Sequence, residues 1–447
     1  MKTKNLPASS WKRFLHYVIP SAAAMVLFSS YTIIDGIFVS KGVSDIAMAS
    51  VNLSLPFINV LSGIAVLLSI GASTLVAFAM GQGNHEKAER LFTQIVVLIV
   101  LLSAAITLAV CFWAEPLAVL LGAGPMTLGY ASQYLHVICL FSICFILSYC
   151  LEVMVKIDGR PQLSAIGVGI SFVLNIALDY LFIFHFHWEI FGAALATGLA
   201  QLGSLLFFLA YFLSGKSNLR FRKFRFDWRV LRNSLPLGVA DCSVDFVLAF
   251  LIFLYNRVVT ACLGEAYLPI YAVISYISLM VFMVMQGLAQ GMMPLVSLSI
   301  GHNHRNLARL FLKKCLLCAI ALSIAIVAVC QLAPHLLVSL LLEGDNFLYP
   351  DAVAALRQYA LSYLFSGVSI VLAGYFAALG KGSASITLCL GRGFVLLPAA
   401  LLVINLLTGG QGIWMAALVG EFLSLVLGLA LLRNTEKTPL ATAVQAV

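Results

Sequence analysis

The chain has 447 residues, 62% of them hydrophobic and only 10% charged, which is more apolar surface than a soluble core of that length can hide. That balance excludes an ordinary water-soluble enzyme or binding module. The formal net charge of +8 is then a statement about membrane topology and attraction to an anionic leaflet, with nothing to suggest nucleic-acid binding.

Apolar runs of about 20 residues, the length a helix needs to cross a bilayer, recur along the whole chain. The first six lie near 14–40, 51–80, 92–114, 130–155, 161–185 and 191–213. Six more follow near 233–258, 267–300, 313–334, 356–380, 384–408 and 412–432. No strand-like alternation competes with them, and an open structure cannot satisfy its backbone in lipid. The expected fold class is an all-α integral membrane protein, with twelve transmembrane helices in two pseudo-symmetric six-helix bundles. Met-Lys-Thr-Lys before the first run resembles the start of a signal peptide, but the run is too long and lacks a cleavage site, so it is expected to stay as the first span.

Lys and Arg accumulate in cytoplasmic loops. With the amino terminus inside, all of the 26 basic residues except Lys41, Arg257, Arg357 and Arg392 fall on the inner side. Both termini are therefore expected to be cytoplasmic, in a protein of the cell inner (cytoplasmic) membrane. The ten cysteines lie in or beside apolar runs, where a thiol acts as a small hydrophobe. Cys315-x-x-Cys318 has no redox context, and the His185/His187 and His302/His304 pairs lack further ligands. No cofactor and no resident metal are expected.

The chain repeats once. Gly81-Gln82-Gly83-Asn84-His85 leading to Ala88-Glu89-Arg90-Leu91-Phe92 returns as Gly301-His302-Asn303-His304 leading to Leu307-Ala308-Arg309-Leu310-Phe311. The same spacing aligns Gly159 with Gly380, Arg160 with Lys381 and Pro20 with Pro236. The expected domains are an amino-terminal six-helix lobe, 1–213, a basic cytoplasmic linker and hinge, 214–232, and a carboxy-terminal lobe, 233–447. Six spans per copy is an even number, so the copies enter the membrane in the same sense, the arrangement of rocking-lobe transporters.

Buried charge marks where function lies. Asp35 in the first run, and Asn175 and Asp179 one turn apart in the fifth, have no basic residue beside them. An unpaired carboxylate in hydrocarbon is costly and marks an ion or proton path by default. Two carboxylates and an amide at one depth would share a proton or capture Na⁺, against the plainer reading that they are hydrogen-bonding glue between helices. A possible second site is Asp245 with Asp241, Glu421 and Arg392, although a buried guanidinium needs a carboxylate and Arg392 would equally serve a structural pair. Glu152 and Lys156 read as a stabilising helix pair. Gln286 and Gln290, among methionines that include Met283, suit a substrate cavity for varied ligands or a plain core.

These residues resemble the multidrug and toxic compound extrusion family. The resemblance rests on Asp35-Gly36-Ile37-Phe38-Val39-Ser40, Gly81-Gln82-Gly83, Leu174-Asn175-Ile176-Ala177-Leu178-Asp179 with Phe182-Ile183, and Gly192-Ala193-Ala194-Leu195-Ala196-Thr197. Gln286-Gly287 to Pro294-Leu295 and Arg392 to Pro398 continue it over nearly the whole chain. The resemblance implies twelve helices in two bundles and antiport of cationic amphiphilic compounds against H⁺ or Na⁺. It also implies Asp35, Asn175 and Asp179 as the coupling site. A second family branch uses a glutamate on the seventh span, near which this chain has Asp245. The Gly-Gln-Gly element departs to Gly301-His302-Asn303 in the second half.

The expected function is thus secondary active multidrug efflux by alternating access, with small-molecule cationic substrates and membrane lipids as partners, the chain acting as a monomer. The alternative is a flippase for a lipid-linked saccharide, which would line its cavity with several arginines where only Arg392 qualifies. An integral membrane enzyme is the remote alternative, needing His and Cys side chains to converge at one depth.

Overall fold

The computed structural model describes residues 11–224, 226–301, 304–410 and 412–437. Among them there is helix and no strand. In chain order come α1 (Trp11–Gly42), α2 (Asp45–Gly81), α3 (His85–Leu121), α4 (Leu128–Leu140), α5 (Ser142–Ile157), α6 (Pro161–Asp179) and α7 (Glu189–Leu213). A π-helical turn, Tyr180–His185, continues α6. The second half holds α8 (Trp228–Cys262), α9 (Leu268–Gly301), α10 (Arg305–Leu332), the short α11 (Pro334–Val338), α12 (Tyr349–Ala360), α13 (Tyr363–Ala378), α14 (Gly382–Leu390), α15 (Leu397–Thr408) and α16 (Ile413–Lys437). A second π-helical turn, Gly391–Leu396, joins α14 to α15.

Nine helices among the described residues are long and apolar enough to cross a membrane, and the bent pairs α4/α5 and α12/α13 bring the number to 11. With α1, which carries the first apolar run over 32 residues, the twelve expected spans are all helical. The repeat is visible in detail. Gly159 and Gly380 both take positive φ (81° and 74°) at the ends of α5 and α13. Arg160 and Lys381 then donate to the carbonyls of Val155 and Phe376, closing the same left-handed helix stop in each half. The fourth span of each copy is the bent one, by 49° at α4/α5 and 45° at α12/α13. In the first, Thr107 Oγ1 donates to the Cys139 carbonyl at 2.8 Å, satisfying backbone that the break leaves free.

By contact the helices form two compact units, one of Ile34–Pro269, the other of the described residues up to Ile33 with those from Ile270 onward. This division follows packing, whereas the 214–232 boundary follows sequence correspondence; the two differ in where α8 and the first part of α1 belong.

In the Ile34–Pro269 unit, the core is built by α2, α3, α5 and α7 around Leu61, Phe92, Ile99, Leu151 and Phe208. α8 lies against α2 at backbone distance: a Cβ on Gly71 would stand 2.2 Å from the Ser234 carbonyl oxygen, and one on Gly238 2.2 Å from that of Leu67. Small residues permit such approach in lipid, where dispersion contacts replace the hydrophobic drive between helices. Beyond the end of α8, the Glu265 carboxylate accepts the backbone N–H groups of Gly124, Met126 and Thr127 at 3.0, 3.1 and 2.6 Å, and the Thr127 hydroxyl as well.

The basic segment read from the sequence as a hinge is tied down in this same unit. Asp158, buried at the end of α5, accepts from Tyr211 Oη and from the backbone and side-chain nitrogens of Asn218. Arg222 donates its backbone N–H to Thr93 Oγ1 at 2.9 Å and pairs with Glu86 and Glu89 at 3.4 and 3.3 Å. Phe221 packs on Phe92, and Gln94 Nε2 donates to the Asp227 carbonyl.

The other unit mirrors this. Its core contains Phe14 and Val18 of α1 with Met285, Met292, Phe311 and Phe376 of α9, α10 and α13. A Cβ on Gly291 would stand 2.6 Å from Val18 Cα, and one on Gly287 2.5 Å from Ala22 Cα. Phe14 stacks on Phe311, the counterpart of Phe92, and the buried Lys314 lies over the Trp11 ring at 5.0 Å. The first span of each half therefore packs on the second span of the other half; Phe221, ahead of α8, meets Phe92, and Phe14, within α1, meets its counterpart Phe311.

Candidate functional site

Asp35 sits on the part of α1 that belongs to the Ile34–Pro269 unit, and Asn175 and Asp179 lie one turn apart on α6 of that unit. All three are buried, Asp179 completely. The carboxyls of Asp35 and Asp179 interact directly. Both oxygens of Asp179, Oδ1 of Asp35 and Oδ1 of Asn175 accept no hydrogen bond from any described protein group. Asn175 Nδ2 donates to Thr197 Oγ1 of α7 at 3.3 Å, which fixes the amide so that its oxygen is the free end.

Local structure holds this group in place. The helix widens into its π turn immediately after Asp179, a distortion that recurs at functional positions. The widened turn packs on α1 just beyond Asp35: a Cβ on Gly42 would stand 2.3 Å from Ile183 Cγ2, and Phe38 meets Phe184 edge-on at 5.5 Å. His187 and Glu189 then take positive φ (55° and 48°), which costs a residue with a side chain about 1 kcal/mol or more. Trp188, between them, stacks on Phe182 at 5.0 Å and donates its backbone N–H to the Phe182 carbonyl. Ser40 donates to Asp45 Oδ1 at 3.0 Å, so that nearby acid has a donor.

Four buried acceptor oxygens with no facing donor cost free energy in any low-dielectric setting. Two carboxyls against each other leave two chemical solutions: a proton shared between them, or a cation held by carboxylate and amide oxygens. Among the described residues, no group of three His, Cys, Asp or Glu side chains has the spacing to hold a metal ion, and the ten cysteines are free thiols.

The remaining candidates separate. Arg392, at the start of the second π turn, donates Nε to Glu421 Oε2 and Oε1 at 2.9 and 3.1 Å and Nη2 to Oε1 at 2.6 Å. This two-point pair neutralises a largely buried charge. Asp245 lies half-buried on α8, in the unit of Asp35 and Asp179, while the Arg392–Glu421 pair belongs to the other. The Asp241 side chain lies outside the described residues. On α9, Met283 and Gln286 are half-buried and Gln290 exposed, whereas Met285 and Met292 are wholly buried in their unit's core. Glu152 bonds Lys156 at 2.7 Å and accepts from Ser164. Thr197 was not singled out from the sequence as part of the site; it stood there only within the Gly192–Thr197 stretch, and its hydrogen bond with Asn175 is what joins it to the group.

A family model described as MatE matches residues 20–181 and 242–402. The multidrug export protein MepA of Staphylococcus saprophyticus is 27% identical over 431 residues, covering 93% of this chain and 91% of its own. Its Staphylococcus aureus namesake is 25% identical over 425 residues, covering 92% and 91%. A solved structure described as the inward-facing conformation of a multidrug resistance MATE family transporter of the MOP superfamily matches with a TM-score of 0.85 at 19% identity, over 93% of this chain and 96% of that one.

Proposed function

The chain belongs to the MatE family, and from that premise we propose that it is a secondary active exporter of cationic amphiphilic compounds, driven by inward movement of H⁺ or Na⁺. The observation that carries the reading is the group of buried acceptor oxygens on Asp35, Asn175 and Asp179 that no protein donor meets. A proton shared between the carboxyls meets two of these oxygens, and a cation can meet all four; either draws α1 and α6 together, and its release restores the repulsion between the carboxyls. Because Asp35 lies two residues past the point where α1 passes from one unit to the other, occupancy of the site acts on the helix common to both. Substrate and ion then exclude one another by linkage, giving exchange through alternating access. The relatives named as multidrug export proteins support the substrate class. The basic loops support a cytoplasmic side for both termini, and the reading calls for no cofactor beyond the coupling ion.

The test is efflux of a fluorescent organic cation from proteoliposomes under separately imposed Na⁺ and pH gradients. One gradient should drive efflux by the unaltered protein and fail to drive it in Asp35→Asn. Efflux by the variant at the unaltered rate, under the same gradient, would remove Asp35 from the coupling step.

A further inference from the structure

Outside that site, the inner end of α3 and the segment lying across it line a half-open cavity of about 650 Å³. Lys87, Arg90, Leu91, Gln94, Lys223, Phe224 and Asp227 line it. The surface beside it, which shares Lys223 and Phe224, continues as a shallow recess along Thr93, Phe221 and Arg222. The acids nearby are spent locally. Glu86 pairs with Arg90 and Arg222, Glu89 pairs with Arg222, and Asp227 is engaged by other groups. The ammonium groups of Lys87 and Lys223 have no acidic partner among the described residues, so the cavity presents two uncompensated cations beside an apolar wall of Leu91 and Phe224.

The sequence around it alternates basic and aromatic residues: Arg220-Phe221-Arg222-Lys223-Phe224-Arg225-Phe226-Asp227-Trp228. Phe226 and Trp228 are 43% and 70% exposed. Large exposed aromatic rings interleaved with cations, next to the end of a membrane-crossing helix, are the composition of a headgroup-level interface. The segment is fixed by Asn218, Arg222 and Asp227, as described above, so the cations are held in position over the cavity.

We propose that this cavity binds the phosphate headgroup of an anionic phospholipid of the inner leaflet, with Lys87 and Lys223 meeting the phosphate and Phe224 and Leu91 lying against the glycerol and the start of the acyl chains. The site is independent of transport. A juxtamembrane lysine strengthens anionic-lipid binding by about fivefold, and two of them by about twenty-fivefold.

Native mass spectrometry of delipidated protein, titrated with phosphatidylglycerol or with phosphatidylcholine of the same chains, reads this directly. The unaltered protein should prefer phosphatidylglycerol. Lys87→Gln with Lys223→Gln should lose about twenty-fivefold of that preference, Lys87→Arg with Lys223→Arg should keep it, and Lys216→Gln, which removes a charge from the same segment outside the cavity, should keep it too. An unchanged preference in the double glutamine variant overturns the proposal. So does displacement of the lipid by free glycerol phosphate at comparable concentration, which would make the occupant a soluble phosphate compound.

Discussion

Asp35 of α1 and Asp179 at the end of α6 face one another as two buried acceptors, without a donor between them. Replacing either by Asn puts an N–H donor where an acceptor stood. Satisfying a buried acceptor stabilises by about 1–3 kcal/mol, so Asp35→Asn and Asp179→Asn should each melt at or above the temperature of the unaltered protein while losing gradient-driven efflux at least tenfold. Groups acting as one unit are not additive, so the double variant should be no slower than either single one. Thermal melting in detergent and initial efflux rates check both halves; lowered melting with efflux retained would make the pair structural.

The Arg392–Glu421 pair carries the opposite expectation. Glu421→Gln leaves a largely buried guanidinium without its carboxylate, and breaking a buried pair costs about 3–5 kcal/mol. Thermal melting should fall sharply. Arg392→Met combined with Glu421→Leu, which removes both charges, should regain most of the loss.

The helix crossings give a steric prediction. Gly71→Ala brings a methyl group to 2.2 Å from the Ser234 carbonyl oxygen, a backbone atom that cannot rotate away, and Gly291→Ala brings one to 2.6 Å from Val18 Cα. Both should lower the yield of folded protein and the melting temperature, by a cost of about 1–3 kcal/mol. Gly169→Ala, with nothing within 4 Å, should be neutral or slightly stabilising through helix propensity.

Asp158 secures the segment after α7 through Tyr211 and Asn218. Hydrogen bonds to a charged group contribute about 1.5–3 kcal/mol each. Asp158→Ala should therefore free the segment, and trypsin should cut after Lys216, Arg220 or Lys223 at least tenfold faster than in the unaltered protein, as read by mass spectrometry of the fragments. Equal cleavage rates would show that Arg222 and Phe221 hold the segment without Asp158.

The helical spans, the internal repeat and the Asp35, Asn175 and Asp179 set were legible in the sequence because each is a local consequence of lipid as solvent. A run of apolar residues long enough to cross must be a helix, whatever surrounds it. An ionisable residue inside such a run declares itself by cost alone. Even the stop at Gly159 and Gly380 is written in a single residue that tolerates positive φ.

Which helix meets which was decided only in three dimensions. Lipid rewards every apolar face alike, so nothing in a hydropathy pattern says that α8 packs on α2 or that Phe14 packs on Phe311. Those choices rest on glycines at the crossings: Gly71 of α2 and Gly238 of α8 in one unit, and Gly287 and Gly291, one turn apart on α9 and facing α1, in the other. For the same reason the sequence left Arg392 with several acids to choose from, and only the packing of α16 brought Glu421 within 2.6 Å of it. The segment from Lys216 to Asp227 reads as a loose basic connection in one dimension. It becomes a fixed part of one unit because Asp158, Thr93 and Gln94, far away in sequence, supply the partners its backbone and side chains require.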